Sequence, residues 1–134
     1  MNQIDGRTID FVEMIFGAFL RDQNISDAIK SLLLKLQIPV IKTSLIDSKF
    51  FYDNKHPART LLNTIAHLGI GIENEDNTVY QTISLVIDQL LRSFDKNIVS
   101  FRTASSSLQR LTTIEQKKQK QNEDVTRKQI IQEH

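Results

Sequence analysis

Apolar side chains recur every three or four residues along most of this chain, and that spacing restricts the fold more than any other feature of the sequence. From Ile9, the residues Val12, Ile15, Phe16, Phe19 and Leu20 share one face of a helical wheel, with Asp10, Glu13 and Arg21 falling largely elsewhere. Ile25, Ile29, Leu32, Leu33 and Leu36 form a second and wider stripe, entered through the turn "DQNIS" with Asn24 or Ser26 as N-cap. Its width predicts a central position. Val79, Ile83, Val86, Leu90 and Phe94 give the clearest stripe, behind the acidic loop "ENEDN" with Asn77 as cap. "FDKN" then allows a break, after which Ile98, Phe101, Ala104, Leu108 and Leu111 alternate like a packing seam. No strand alternation, hairpin signal or internal repeat competes with this pattern, so the expected class is all-α.

The stretch "LQIPVIKTSLIDSKFFYDNKHPARTLLN" lies in the middle. Pro39 has no amide hydrogen and biases Ile38 away from helical geometry, so a third helix is expected from Pro39 to about Asp47. Val40, Ile41 and Leu45 are expected to face inward. Phe50 and Phe51 then plug the corner between elements, and "YDNKHP" is turn chemistry leading to Pro57 in a first helical turn. Leu61, Leu62, Ile65, Ala66 and Leu68 line a fourth helix that stops at Gly69 or Gly71. The expectation is about six helices in antiparallel succession, as a bundle or short helical array. Continuing the last seam would put Glu115, Lys118 and Asn122 where apolar side chains belong. Residues 1–114 are therefore read as a helical domain, and 115–134 as a polar helical extension or frayed tail.

A chain of 134 residues is long enough for one core. Its 17 Lys and Arg against 16 Asp and Glu leave a net charge of +1, which supplies no global field for nucleic acid or an anionic membrane. There is no cysteine, which removes disulfides, thiolate metal sites and cysteine nucleophiles and fits a reducing cytoplasm. The opening "MNQIDGRTIDFVEM" carries acids where a secretory signal would be basic and then apolar. No apolar run approaches the roughly 20 residues needed to span a bilayer.

At "FVEMIFGAFLRD", "LLLKLQIPVIKTSLIDSKFF" and "HPARTLLNTIA" the sequence resembles a family of large bacterial proteins, domain of unknown function 1631, over about Phe11 to Phe101. Leu36 to Val40, Phe50-Phe51 and His56-Pro57-Ala58-Arg59 fall in the family's order with similar gaps. Members are several times longer, and the stretch resembles part of their C-terminal half, which implies a piece of a larger protein. Some members are labelled thymidine phosphorylase. A phosphorylase must hold phosphate and a nucleoside, commonly through glycine-rich loops, and the four glycines here form no strand, loop and helix sequence. The resemblance brings no established activity.

One set of residues stands out as a site. His56, Arg59, Lys49 and Lys55 place basic groups around a helix start whose amides and dipole favour anions, so a phosphate or nucleotide site is conceivable there. The plainer account has Pro57 starting the helix, His56 or Asn54 capping it, and Arg59 pairing with Asp47 or Asp53. His56 and His67 lack the partners of a metal site. Ser44, Ser48 and Ser105 to Ser107 lack a nucleophile elbow and read as surface or capping residues. Lys117, Lys118 and Lys120 are diluted by Glu115 and Glu123, which reads as a solvated face. The sequence therefore points to a non-catalytic helical interaction or scaffold module of a larger bacterial regulatory protein, with no cofactor. The alternative is an anion- or nucleotide-binding domain using the His-Pro-Ala-Arg corner. The expected partner is another protein or the remainder of a longer chain, with self-association left open.

Overall fold

The computed structural model describes residues 6–93 and 99–132, with side chains as far as Glu123. Phe94, the break at "FDKN" and Ile98 lie outside the described residues. Among the described residues seven helices follow one another: α1 (Gly6–Arg21), α2 (Asp27–Leu34), α3 (Gln37–Ile46), α4 (Lys49–Tyr52), α5 (Pro57–Leu68), α6 (Thr78–Ser93) and α7 (Val99–Gln132). The architecture is all-α, and among the described residues the only β-type pairing is an isolated bridge between Ile25 and Ile70. The helix beyond the expected six is the single turn α4, which contains Phe50 and Phe51.

Local chemistry sets the helix boundaries. Ser26 caps α2, its hydroxyl accepting from the Ile29 amide at 3.3 Å while donating to the Ile72 carbonyl. One side chain thus starts a helix and ties it to the loop after α5. Asn77 caps α6 by accepting from the amides of Val79 and Tyr80 at 2.8 and 3.3 Å. Pro39 sits at the third position of α3, where its missing amide hydrogen costs nothing because the first intrahelical bond is made by Val40 to the Leu36 carbonyl, at 2.9 Å. The helix accordingly begins two residues earlier than proline chemistry alone suggests.

α2 lies at the centre, packing on α1, α5 and α6, as its wide stripe predicts. Ile29, Leu32 and Leu33 from it meet Val12 and Phe16 of α1, Leu62 and Ile65 of α5 and Ile83 and Ile87 of α6 in one core. α5 closes on α2 at Gly69, where a Cβ would come within 2.6 Å of an Ile29 methyl, so no larger residue fits without movement. Gly71 follows with φ +80, a left-handed conformation that turns the chain back.

The most extensive helix pair joins α7 to α5, and α7 also packs along α6. Phe101, Ala104 and Leu108 are buried and Leu111 is half-buried, as the seam predicts. Beyond it Ile114 is exposed and Glu115 pairs instead with Lys118, at 3.6 Å. The helix itself continues unbroken to Gln132.

Two expected core positions point outward. Leu20 is 38% exposed and Leu45 is 42% exposed. The inner face of α3 is made by Pro39, Val40, Thr43 and Ser44, and Leu45 stands about 140° around the helix from Val40.

Leu108→Ala is expected to cost about 2–5 kcal/mol in urea unfolding. Removing residues 115–134 is expected to leave the unfolding midpoint nearly unchanged, since the buried seam ends before Glu115.

Candidate functional site

The corner between α3 and α5 is built around Asp47. α3 ends there as the backbone turns extended, and the carboxylate then serves two groups further along the chain. Oδ1 accepts the Lys49 amide at 3.1 Å, which starts α4, and Oδ2 lies 3.1 Å from Nε2 of His56. The other ring nitrogen of His56 accepts the Ala58 amide at 3.1 Å, which starts α5. Because Nδ1 is an acceptor, the ring proton sits on Nε2 and is donated to Asp47. A continuous chain of hydrogen bonds therefore runs from the Lys49 amide through Asp47 and His56 to the Ala58 amide, with His56 2% exposed.

Phe50 fills the inside of this corner. It is fully buried and meets Phe11, Phe51 and His56 edge to face, with centroids 6.0, 5.7 and 5.6 Å away. In this one-turn helix the Lys49 carbonyl accepts the Asp53 amide at 2.9 Å, and Arg59 addresses two of the carbonyls that follow, Nη1 lying 3.4 Å from the oxygens of Phe50 and Phe51. Its guanidinium also stands 5.8 Å from the centre of the Phe11 ring.

The four basic residues singled out in the sequence are thus not brought together. His56 is buried and bonded at both nitrogens, while Lys49 and Lys55 are exposed. Arg59 lines a groove of about 460 Å³ between α1 and α5, walled by Met14, Ala18 and Leu62, whereas Lys55 lines a different groove, between α5 and α7. The amides at the start of α5 are largely occupied: Pro57 has none, Ala58 bonds the His56 ring and Thr60 the His56 carbonyl.

His56 is the cap, as the plainer account expects, but the carboxylate expected to pair with Arg59 takes His56 instead. The sequence carried a signal for this. Asp47 closes an apolar helix two residues before Lys49, the spacing at which an aspartate bonds a backbone amide. Ser105 was read as a surface or capping residue and is instead buried on the inner side of α7. Among the described residues no group of three His, Asp or Glu is placed to hold a metal ion, and no helix is long and apolar enough to cross a membrane.

A family model described as "Protein of unknown function (DUF1631) 2nd domain" matches residues 1–97. The chain belongs to the DUF1631 family. Nothing among curated proteins matches it, and no solved structure does. The DUF1631 match covers the Asp47–His56 corner and stops before α7.

Asp47 carries the pH dependence of this DUF1631 corner. Partial burial by itself would raise its carboxyl pKa, but the His56 hydrogen bond, the Lys49 amide and the Lys49 charge outweigh that and hold it below its ordinary value of 3.8. A carboxyl lowered on folding stabilises the fold above its unfolded pKa, and that contribution is lost as pH falls through the folded pKa. Asp47→Asn should therefore destabilise at neutral pH and approach the wild type below pH 3.8, as urea midpoints across pH 2–7 will show. Phe50→Ala should cost about 3–5 kcal/mol, and Phe51→Ala clearly less because Phe51 is only half-buried.

Proposed function

We propose that this domain is a non-catalytic helical interaction module of a larger bacterial cytoplasmic regulatory protein, and that it docks through α3 onto another domain of the same chain. The observation that carries the reading is the inverted polarity of α3. Its inward residues Thr43 and Ser44 are buried, at 1% and 3% exposure, while the aliphatic Ile38 and Ile46 stand out at 58% and 64% and Leu45 is also exposed.

A surface helix normally turns its aliphatic residues inward. Here the hydroxyls take the inner face: Ser44 is satisfied by the Ile41 carbonyl at 2.8 Å, and Thr43 Oγ1 has no hydrogen-bond partner. Covering a fully exposed aliphatic side chain of this size is worth about 1.5–3 kcal/mol, so the outer face of α3 has apolar area left for a partner to cover. The choice of occupant is supported by the family description, which names the matched region a second domain. Further support comes from the hydrogen bonding of the Asp47 corner, where the His56 ring and the Arg59 guanidinium bond elements of the fold itself.

The test is a sedimentation and calorimetric titration of this domain against the first domain of a full-length family member. Binding should be lost in the double variant Ile38→Glu and Ile46→Glu while the urea midpoint is kept, because both side chains are already in water. Undiminished binding by the double variant, or no binding by the wild type, would overturn the reading. So would concentration-dependent self-association abolished by the same variant, which would assign the face to a second copy.

A further inference from the structure

We infer that the groove between α5 and α7 binds the phosphate group of a small hydroxylated compound, a sugar or polyol phosphate, at Lys55, Arg102 and Ser105. The inference is independent of the α3 docking surface and concerns residues other than the buried His56. The groove encloses about 340 Å³ beside the first turn of α5 and is lined by the cations Lys55 and Arg102 and the neutral polar residues Thr60, Ser105, Ser106 and Gln109. No carboxylate lines it. Neither cation is in an ion pair with another described residue.

Ser105 supplies the second and separate observation. A serine or threonine in a helix ordinarily returns its hydroxyl to the carbonyl four residues back, as Ser107 does to Thr103 at 3.1 Å and Thr112 to Leu108 at 3.0 Å. Ser105 is only 6% exposed, lines the groove, and makes no such bond among the described residues. With no bond to the fold among the described residues, the Ser105 hydroxyl is left to bond what enters the groove that it lines. The α5 N-terminus adds a favourable potential for an anion, although its amides are largely committed within the fold.

The class of ligand is set by what lies beside the cations. A second groove of about 420 Å³ shares Thr60 and Gln109 with the first and continues between the two helices past Asn63, Thr64 and Thr112. Hydroxyls and amides of this kind match the alternating donors and acceptors of a polyol. No Phe, Tyr or Trp lines either groove, and the His67 imidazole of the second is the one ring offered to a nucleobase, which favours a simple sugar phosphate over a nucleotide. Arg102 would supply the planar fork for phosphate oxygens and Lys55 a point charge.

Calorimetric titration of the whole chain with ribose 5-phosphate, ribose, inorganic phosphate and adenosine monophosphate tests this. Ribose 5-phosphate should bind most tightly, with affinity falling as salt rises, and ribose should not bind. Arg102→Gln should weaken it roughly tenfold or more and Ser105→Ala severalfold, the scale of a lost charge-assisted and a lost neutral hydrogen bond. Lys49→Gln, outside the groove, should change nothing. Arg102 is exposed and Ser105→Ala is conservative, so both variants should keep the wild-type urea midpoint. Absence of ribose 5-phosphate binding at about 10 mM, or equal affinity in wild type and Arg102→Gln, would overturn the site. Tighter binding of adenosine monophosphate, or equal binding of inorganic phosphate, would overturn the sugar phosphate assignment.

Discussion

The route of the chain from α3 into α5 depends on a single carboxylate. Asp47 receives the amide that begins α4 and the imidazole that begins α5, so two helix starts and one buried histidine are fixed by the same side chain. With those groups held, Phe50 drops into the corner against Phe11 and His56, and the carbonyls left over at α4 lie within reach of Arg59. Removing the carboxylate would take the hydrogen-bond acceptor from the N–H of a buried ring, which is costly in proportion to how well the ring is buried. The corner is a set of mutually dependent hydrogen bonds around one aromatic wedge. A basic motif at a helix start can thus be occupied by the fold it belongs to.

Much of the fold was legible because a helix core needs only a periodic stripe and a cap. Ser26 and Asn77 cap where their side chains predict, and among the described residues the stripes of α2, α6 and α7 bury those that their spacing selects, Val79 and Leu111 by half. α3 was less legible, because three and four residue spacing admits more than one face when aliphatic residues occur all round. Val40 could be grouped with Leu45 or with Thr43 and Ser44, and the fold takes the second grouping. The extra turn α4 was hidden for a related reason. Four residues carry no readable period, and what makes them helical is the Asp47 cap in front of them and the burial of Phe50.

The candidate site was legible in its residues but not in its pairings. Four basic side chains within eleven positions suggested convergence, yet a helix start and the loop before it distribute side chains around the chain rather than to one side. Lys55 and Arg59, four residues apart, line grooves on different sides of α5. Arg102 and Ser105 were not singled out as ligand residues, because only the packing of α7 on α5 brings them beside Lys55. Long-range juxtaposition of this kind leaves no local signature.

The place of α7 gives the final step. The family match ends at residue 97, but the core does not, since Phe101, Ala104 and Leu108 beyond that limit are buried against the preceding helices. Without α7 the faces of α5 and α6 that it covers would be open, with Leu90, beside Ala104, among the side chains that are now buried. One helix thus completes the core with one half and runs on as a polar rod of about 30 Å with the other. The rod continues the helix that makes the α5–α7 contact. The sugar phosphate groove lies on that contact, so a ligand in the groove and a partner on the rod would bear on the same pair of helices.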